Sequence, residues 1–433
     1  MCACAWSHRR LRPAPKTSLE VGCARGYSGR FVISFVKRVS AAMVCAALMA
    51  LCSAVVHAQP ALQSPAQIVA VLPQSGALVG VGEQLVEVMM WAAADAGASL
   101  IVVDSELAND ALVEALSHAL SDEGVVGIVG PLRASRAGLV AALSSQARVP
   151  ALLLSGVEGV EERSHWAFRA RLSVGEQASF AASWAYEQWP QARVGVMAPL
   201  TEYGDEAARA FVSAWSKEGA RVVGLARYRS GETQFTPVVE TLLGARVRLE
   251  RGREVAGRRA DRWGTVRVGA QRLDGLDVLL LADFDDAIAR QAPFIVREKA
   301  LQQTQLLGLS GWGGQRLQQS GEELAGAVFF DTFGGIAQGG AAEAFVLAFE
   351  TRFVREPTTV EAEVFDLVGF LASSGRGDAI RTLRSSQGFE GVTGRWRFDR
   401  RGAPLRVPQA LRVTEDGRWI PLNSWSAETP DAL

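Results

Sequence analysis

The chain predicts an α/β protein with two successive lobes, each a parallel sheet flanked by helices. Short apolar, β-branched runs alternate with amphipathic helical stretches. The runs are apolar throughout rather than alternating, as strands are when helices cover both faces of a sheet. The rhythm also starts again near residue 193, after one complete round. Repeated strand–helix units imply parallel strands with right-handed crossovers.

The first round places strands at 68–72, 100–104, 125–129 and 151–155, with helices at 79–96, 109–121 and 133–146 between them. The second round places helices at 173–189, 205–218, 235–243 and 285–302, and strands at 193–198, 220–227, 277–282 and 305–309. A strand at 327–332 and helices at 341–355 and 360–373 follow. The end, 391–421, is β-like, with turns at Arg401-Gly402 and Asp416-Gly417. One segment breaks the rhythm: 246–272 holds nine arginines and three acids with no clear period. Most connections are under about six residues, so this one is expected to be a surface insertion. Its functional alternative is a basic contact patch for anionic cell-wall polymer or lipid head groups.

Ahead of the first strand lies a leader, 1–58. All five cysteines, Cys2, Cys4, Cys23, Cys45 and Cys52, fall within it, so nothing beyond Cys52 can form a disulfide. Lys37 and Arg38 lead into an apolar run over 39–56, and Val56-His57-Ala58 follows. Charged stretch, apolar stretch and small-residue exit form the layout of a secretory signal peptide. Cleavage is expected near Ala58, which predicts a periplasmic protein with no membrane span afterwards. The run is long enough to weigh a membrane anchor, which needs roughly 20 apolar residues, but Ser40, Ser53 and many alanines dilute it and a cleavage-like Val-x-Ala ends it, which favours a cleaved signal. Residues 1–35 carry scattered arginines and no periodicity, and translation is expected to begin near Val36.

Charge and motif content then narrow the function. From Gln59 onward there are 37 basic and 45 acidic side chains, a net charge of −8. That argues against a nucleic-acid binder, which shows a basic face. Beyond the leader only His118 and His165 are histidines, and neither sits in a motif with an acid and a nucleophile. No H-E-x-x-H pattern and no cysteine pair offers a metal site. Gly308-Leu309-Ser310-Gly311-Trp312 has the outline of a nucleophile elbow, but Trp312 stands where glycine is required. Gly80-Val81-Gly82 has the start of a dinucleotide fingerprint, with Leu85 in place of its third glycine. It reads instead as a turn that brings a helix N-terminus to a cleft edge, where free N–H groups can meet a carboxylate. Asp283, Asp285 and Asp286 follow a strand, either as helix caps or as contacts to a cationic ligand. The chain is therefore expected to be a non-enzymatic binder with no cofactor and no metal.

An ordered set of short motifs carries a family resemblance. It comprises 68–76 with Gly82-Glu83, Val129-Gly130-Pro131-Leu132 with Ser135, Arg148-Val149-Pro150, Phe168-Arg169 and Glu202-Tyr203-Gly204 with Ala210-Phe211. It continues with Pro357-Thr358, Phe365-Asp366, Gly391-Val392-Thr393-Gly394 and Phe398-Asp399. In this order the chain resembles periplasmic solute-binding proteins of the leucine/isoleucine/valine-binding type, over nearly all of 67–421. The resemblance implies two Rossmann-like lobes, joined by three crossovers around a central cleft. The first lobe would comprise 67–170 with 312–388, and the second 171–310 with 391–421.

Ligands in such sheets sit at the carboxyl ends of the strands. The candidate contacts are Gln74 and Ser75; Arg133, Ala134 and Ser135; Ser155, Val157 and Gly159; Tyr203; Asp283 and Phe284; Ser310 and Trp312. Tyr203 matches the family's cleft tyrosine. Ala134 stands where the family has a serine, Gly159 where it has a threonine, and Ser310 where it has the acid that meets an ammonium. A buried ammonium with no acid costs several kcal/mol, so Asp283 or Asp285 must substitute if the ligand is an ordinary amino acid. The resemblance implies a small-molecule ligand handed to an ABC permease. Val129-Gly130-Pro131-Leu132, and Leu309-Ser310-Gly311-Trp312 before a Gly-rich turn, also resemble activators of peptidoglycan-synthesising penicillin-binding proteins, which use this fold to contact a cell-wall synthase.

Overall fold

The computed structural model describes residues 65–217, 219–244 and 272–422. The leader 1–58 and most of the 246–272 insertion fall outside the described residues. The first sheet is built from β1 (Gln67–Leu72), β2 (Ser99–Asp104), β3 (Val125–Val129), β4 (Ala151–Leu153) and β5 (Ala167–Arg169). Its order is β2-β1-β3-β4-β5, parallel throughout. Residues 68–72 are fully buried because β1 has a neighbour on each side and helices on both faces. Edge strand β2 is only partly covered. Helices α1 (Val79–Asp95), α2 (Asn109–Leu120) and α3 (Ala134–Ala147) connect these strands.

Among the described residues, 76–95 is the one helical stretch long and apolar enough to cross a bilayer. Its inner residues Leu85, Val88, Met89 and Ala92 are buried in the first-lobe core. Gly82 explains the glycine pair seen in sequence: a Cβ there would lie 1.7 Å from the Pro73 carbonyl oxygen. It is a packing glycine that seats α1 under the loop after β1.

The second sheet follows with α4 (Val174–Gln188), β6 (Val194–Pro199), α5 (Glu202–Lys217), β7 (Val222–Tyr228), α6 (Thr236–Leu242), β8 (Val278–Leu281), α7 (Asp285–Arg297) and β9 (Gln305–Gly308). Two short helices, α8 (Gln315–Gln318) and α9 (Gly321–Leu324), lead to β10 (Val328–Asp331). The chain then runs through α10 (Gly340–Phe353), α11 (Thr359–Ser373), α12 (Arg376–Leu383), the hairpin β11 (Phe389–Gly391) and β12 (Gly394–Trp396), and finally β13 (Gln409–Val413) and β14 (Trp419–Pro421). The sheet order is β14-β13-β10-β9-β8-β6-β7. The strands from β7 to β10 are parallel, and β13 and β14 add an antiparallel edge.

Two boundaries differ from those expected. The stretch 312–388 is expected in the first lobe, yet β10 pairs with β9 and β13, and Trp312, Leu317, Leu324 and Phe329 lie in the second-lobe core. The apolar run of β10, Val-Phe-Phe-Asp, is buried throughout because it is an internal strand. Conversely, 391–421 is expected in the second lobe, yet Trp396 and Phe398 within it pack into the first-lobe core with Phe345, Leu367 and Leu371. The crossovers therefore fall at 170–172, at Thr332 and at 399–408. Two helices, the first of the second lobe and the one that follows α10, are capped reciprocally. Ser173 and Glu176 close α4, and Thr358 and Glu361 close α11.

Candidate ligand cleft

The cleft lies where the three crossovers meet the carboxyl ends of the strands. On the second-lobe side, Tyr203, Asp283 and Phe284 come together as the sequence suggested. Gly204 allows it: a Cβ there would lie 2.2 Å from the Pro199 carbonyl oxygen, so only glycine lets α5 start tight against the end of β6. This sets Tyr203 on the first turn of α5, its ring 4.8 Å from that of Phe284. Phe284 is half-exposed, whereas the Tyr203 hydroxyl is buried with no hydrogen-bond partner. Burial pushes that hydroxyl's pKa up, and the nearby Asp283 charge adds to the rise.

Asp283 is already engaged. The Tyr228 hydroxyl donates to its Oδ2 at 2.7 Å, and the Phe284 N–H donates to its Oδ1 at 2.9 Å. Gln291 Nε2 in turn donates to the Tyr228 oxygen at 2.8 Å. Burial pushes the Asp283 carboxyl up despite these donors. Asp285 is no substitute acid, because its carboxylate accepts from the N–H groups of Arg316 and Asp286.

On the first-lobe side the candidates are largely occupied by their own loop. Asp104 accepts from the Gln74 and Glu106 N–H groups, each at 2.9 Å, and from the Ser75 hydroxyl at 2.7 Å. Burial works against its charge, but those three donors hold its carboxyl below the usual range. The Gln74 side chain donates to the Pro73 carbonyl. Arg133 pairs with Glu106 at 2.8 Å, while Ala134 and Ser135 open α3 exposed to solvent. Ser155 is buried and accepts from the Val157 N–H at 3.3 Å. Val157 is exposed, and Gly159 takes a left-handed φ of 81°.

Trp312 is not a cleft residue. It is fully buried, its Nε1 donates to the Leu281 carbonyl at 3.2 Å, and its ring packs near Phe329. Its neighbour Ser310 does reach the cleft floor, where its N–H donates to Gln177 Oε1 at 3.1 Å. The floor holds a half-open hollow of about 10 Å³, lined in part by Arg171, Gln177, Ser310, Asp331, Thr332 and Glu363. That is room for about one water.

Five of those six floor residues escaped the sequence reading. Glu363, 2 % exposed, pairs with Arg171 at 2.9 Å and with Arg406 at 3.2 Å. Asp331 accepts from the Thr359 hydroxyl and the Thr332 N–H, each at 2.7 Å. Burial, reinforced by the Glu363 charge, pushes the Asp331 carboxyl up to about 7. A signal did exist in the sequence: α11 is apolar, yet Glu361, Glu363 and Asp366 are buried within it. Buried acids on an apolar helix require partners supplied by other elements. Among the described residues no group of three or more His, Cys, Asp or Glu side chains is arranged to hold a metal.

Comparison with known proteins gives a consistent picture. A family model described as periplasmic binding protein matches residues 65–415, starting beyond the expected leader, in keeping with a periplasmic location. Similar solved structures include a putative branched-chain amino acid ABC transporter protein from Rhodospirillum rubrum. It shares 20 % identity over 83 % of this chain and 100 % of its own, with a TM-score of 0.64. The leucine binding protein LivK of Thermotoga maritima shares 18 % identity over 85 % and 100 % of the two chains, with a TM-score of 0.60. A solute binding protein of an ABC transporter from Rhodopseudomonas palustris, in complex with 3,4-dihydroxy benzoic acid, shares 16 % identity over 84 % and 98 %, with a TM-score of 0.63. At these identities the likeness establishes the fold. The search of curated proteins returned no match.

Proposed function

Because the chain belongs to the periplasmic binding protein family, we propose that it captures a small solute between its lobes and presents it to an ABC permease. The protein is a non-enzymatic binder. The observation that carries the reading is Tyr203, whose buried hydroxyl has no partner beside the half-exposed ring of Phe284. A buried hydroxyl left unpaired is costly, and a ligand oxygen or nitrogen would relieve it.

The solute is amino-acid-like or a related organic acid, and the charges favour the acid. Ser310 offers no carboxylate for an ammonium, and both Asp283 oxygens already accept hydrogen bonds. One of the solved structures named above holds 3,4-dihydroxy benzoic acid in the same fold. The test is a melting-temperature panel on the mature protein, with branched-chain amino acids in one arm and aromatic and branched carboxylic acids in the other. A shift in the carboxylic-acid arm supports the reading, and a shift confined to the amino acids overturns the ligand class.

One observation favours a second reading, contact with a peptidoglycan-synthesising penicillin-binding protein. The first-lobe candidates Gln74, Ser75 and Arg133 are tied up within their own lobe. No shift in either arm, together with co-purification of a cell-wall synthase, would select that reading.

A further inference from the structure

The three crossovers are separate in sequence but converge on one carboxylate. Glu363 lies on α11, in the first lobe, and is 2 % exposed. Arg171 from the first crossover places its Nε 2.9 Å from Glu363 Oε2. Thr332, the second crossover, donates its hydroxyl to Glu363 Oε1 at 3.1 Å. Arg406 from the third donates Nη1 to the same oxygen at 3.2 Å.

Two of those partners, Arg406 and Thr332, are themselves held in place. Arg406 also donates to the Thr393 carbonyl at 2.8 Å and the Thr393 hydroxyl at 2.9 Å, and its guanidinium lies 4.0 Å from the Trp396 ring centroid. Thr332 follows Asp331, the last residue of β10, whose side chain accepts from Thr359 on α11. The second lobe is thereby tied to the first residue of the helix that carries Glu363.

We propose that Glu363 is a three-way pin that couples the crossovers, so that the lobes change their relative angle in one step and only as its contacts rearrange. Rotation about any single crossover would pull a charged or hydroxyl group off a buried carboxylate. A buried ion pair that loses one partner leaves an uncompensated charge. Bending at one crossover is therefore opposed unless all three give way together. The inference rests on the lobe junction alone and is independent of which solute the cleft holds.

The experiment uses the absence of cysteine after Cys52. Ala142→Cys on α3 and Ser213→Cys on α5 carry spin labels, one on each lobe, and the interlobe distance distribution is measured on the mature protein. In the parent, any second population stays under about 10 % of the total, and Glu363→Gln raises it several-fold. Glu361→Gln is the matched control. That carboxylate is equally buried on the same helix, but it holds Arg355 and Thr358 within the first lobe. It should lower stability while leaving the distribution at the parental width.

A parental distribution for folded Glu363→Gln overturns the proposal. Equal broadening in both variants also overturns it, since that would report general loosening. If Glu363→Gln does not fold, Thr332→Val removes one contact only. Broadening in that variant supports the pin, and a parental distribution refutes it.

Discussion

Asp331 offers the sharpest test of the junction's electrostatics. The groups around it are Thr359 and Glu363 on α11, Arg171 on the first crossover and the Thr332 N–H. Burial raises its pKa from 3.8 to about 7. An acid whose folded-state pKa is raised binds its proton more tightly when folded. Its contribution to stability is complete below the unfolded value of 3.8 and is lost as pH rises through about 7. At 1.36 kcal/mol per unit, the loss across that window is on the order of 4 kcal/mol. Asp331→Asn cannot ionise, yet its amide oxygen can still accept from Thr359 and Thr332. Urea denaturation at about pH 5 and about pH 8 measures the difference. Near pH 5, about one unit above the unfolded value, the variant should already be the more stable by about 1.5 kcal/mol, apart from the roughly 1 kcal/mol worth of an altered hydrogen bond. Near pH 8 the variant should be the more stable by most of the calculated loss. Parallel stability–pH curves for the two proteins would refute the assignment.

Three further outcomes are expected. Tyr203→Phe removes a hydroxyl with no partner in the ligand-free protein, so it should leave stability unchanged or raise it by about 1 kcal/mol. It should weaken solute binding about tenfold by calorimetric titration, because one hydrogen bond to the ligand is worth about 1.4 kcal/mol; unchanged affinity would remove Tyr203 from the site. Trp312→Ala should cost about 3–5 kcal/mol by urea unfolding, whereas a cleft role would instead spare stability and alter binding. Gly82→Ala should cost at least about 1–3 kcal/mol, since its methyl would meet the Pro73 carbonyl, and a neutral result would mean that the loop after β1 yields easily.

Much of the fold could be read from periodicity. β1, β3, β6, β8 and β9 are apolar runs bounded by helical patterns, and each lies within a residue or two of its expected position. β5 has three residues, Ala-Phe-Arg, too few for any period to show. α12 buries only Ala379 and Leu383, so its sequence reads as polar. The lobe to which β10 belongs was not legible, because an apolar strand suits the interior of either sheet.

The site divides along similar lines. Tyr203, Asp283 and Phe284 follow strands directly, and topology alone takes them to the cleft. Trp312 follows a strand too, but its bulk fills the space above Gly308, where a Cβ would strike the indole. Arg171, Thr332, Glu363 and Arg406 meet only through the path of the crossovers, which no local pattern encodes.

The interleaving of the lobes bears on the order in which this chain folds. The first-lobe core includes Trp396 and Phe398, and the second-lobe core includes Leu411 and Val413. These two clusters cannot close until nearly all of the polypeptide has been made. Domains commonly fold in order as they emerge from the ribosome, but here an early segment can bury only one face of the first sheet, the cluster from Val69 to Ala167. A chain built this way finishes neither lobe before its last strands are made, so its folding ends as one late event rather than lobe by lobe.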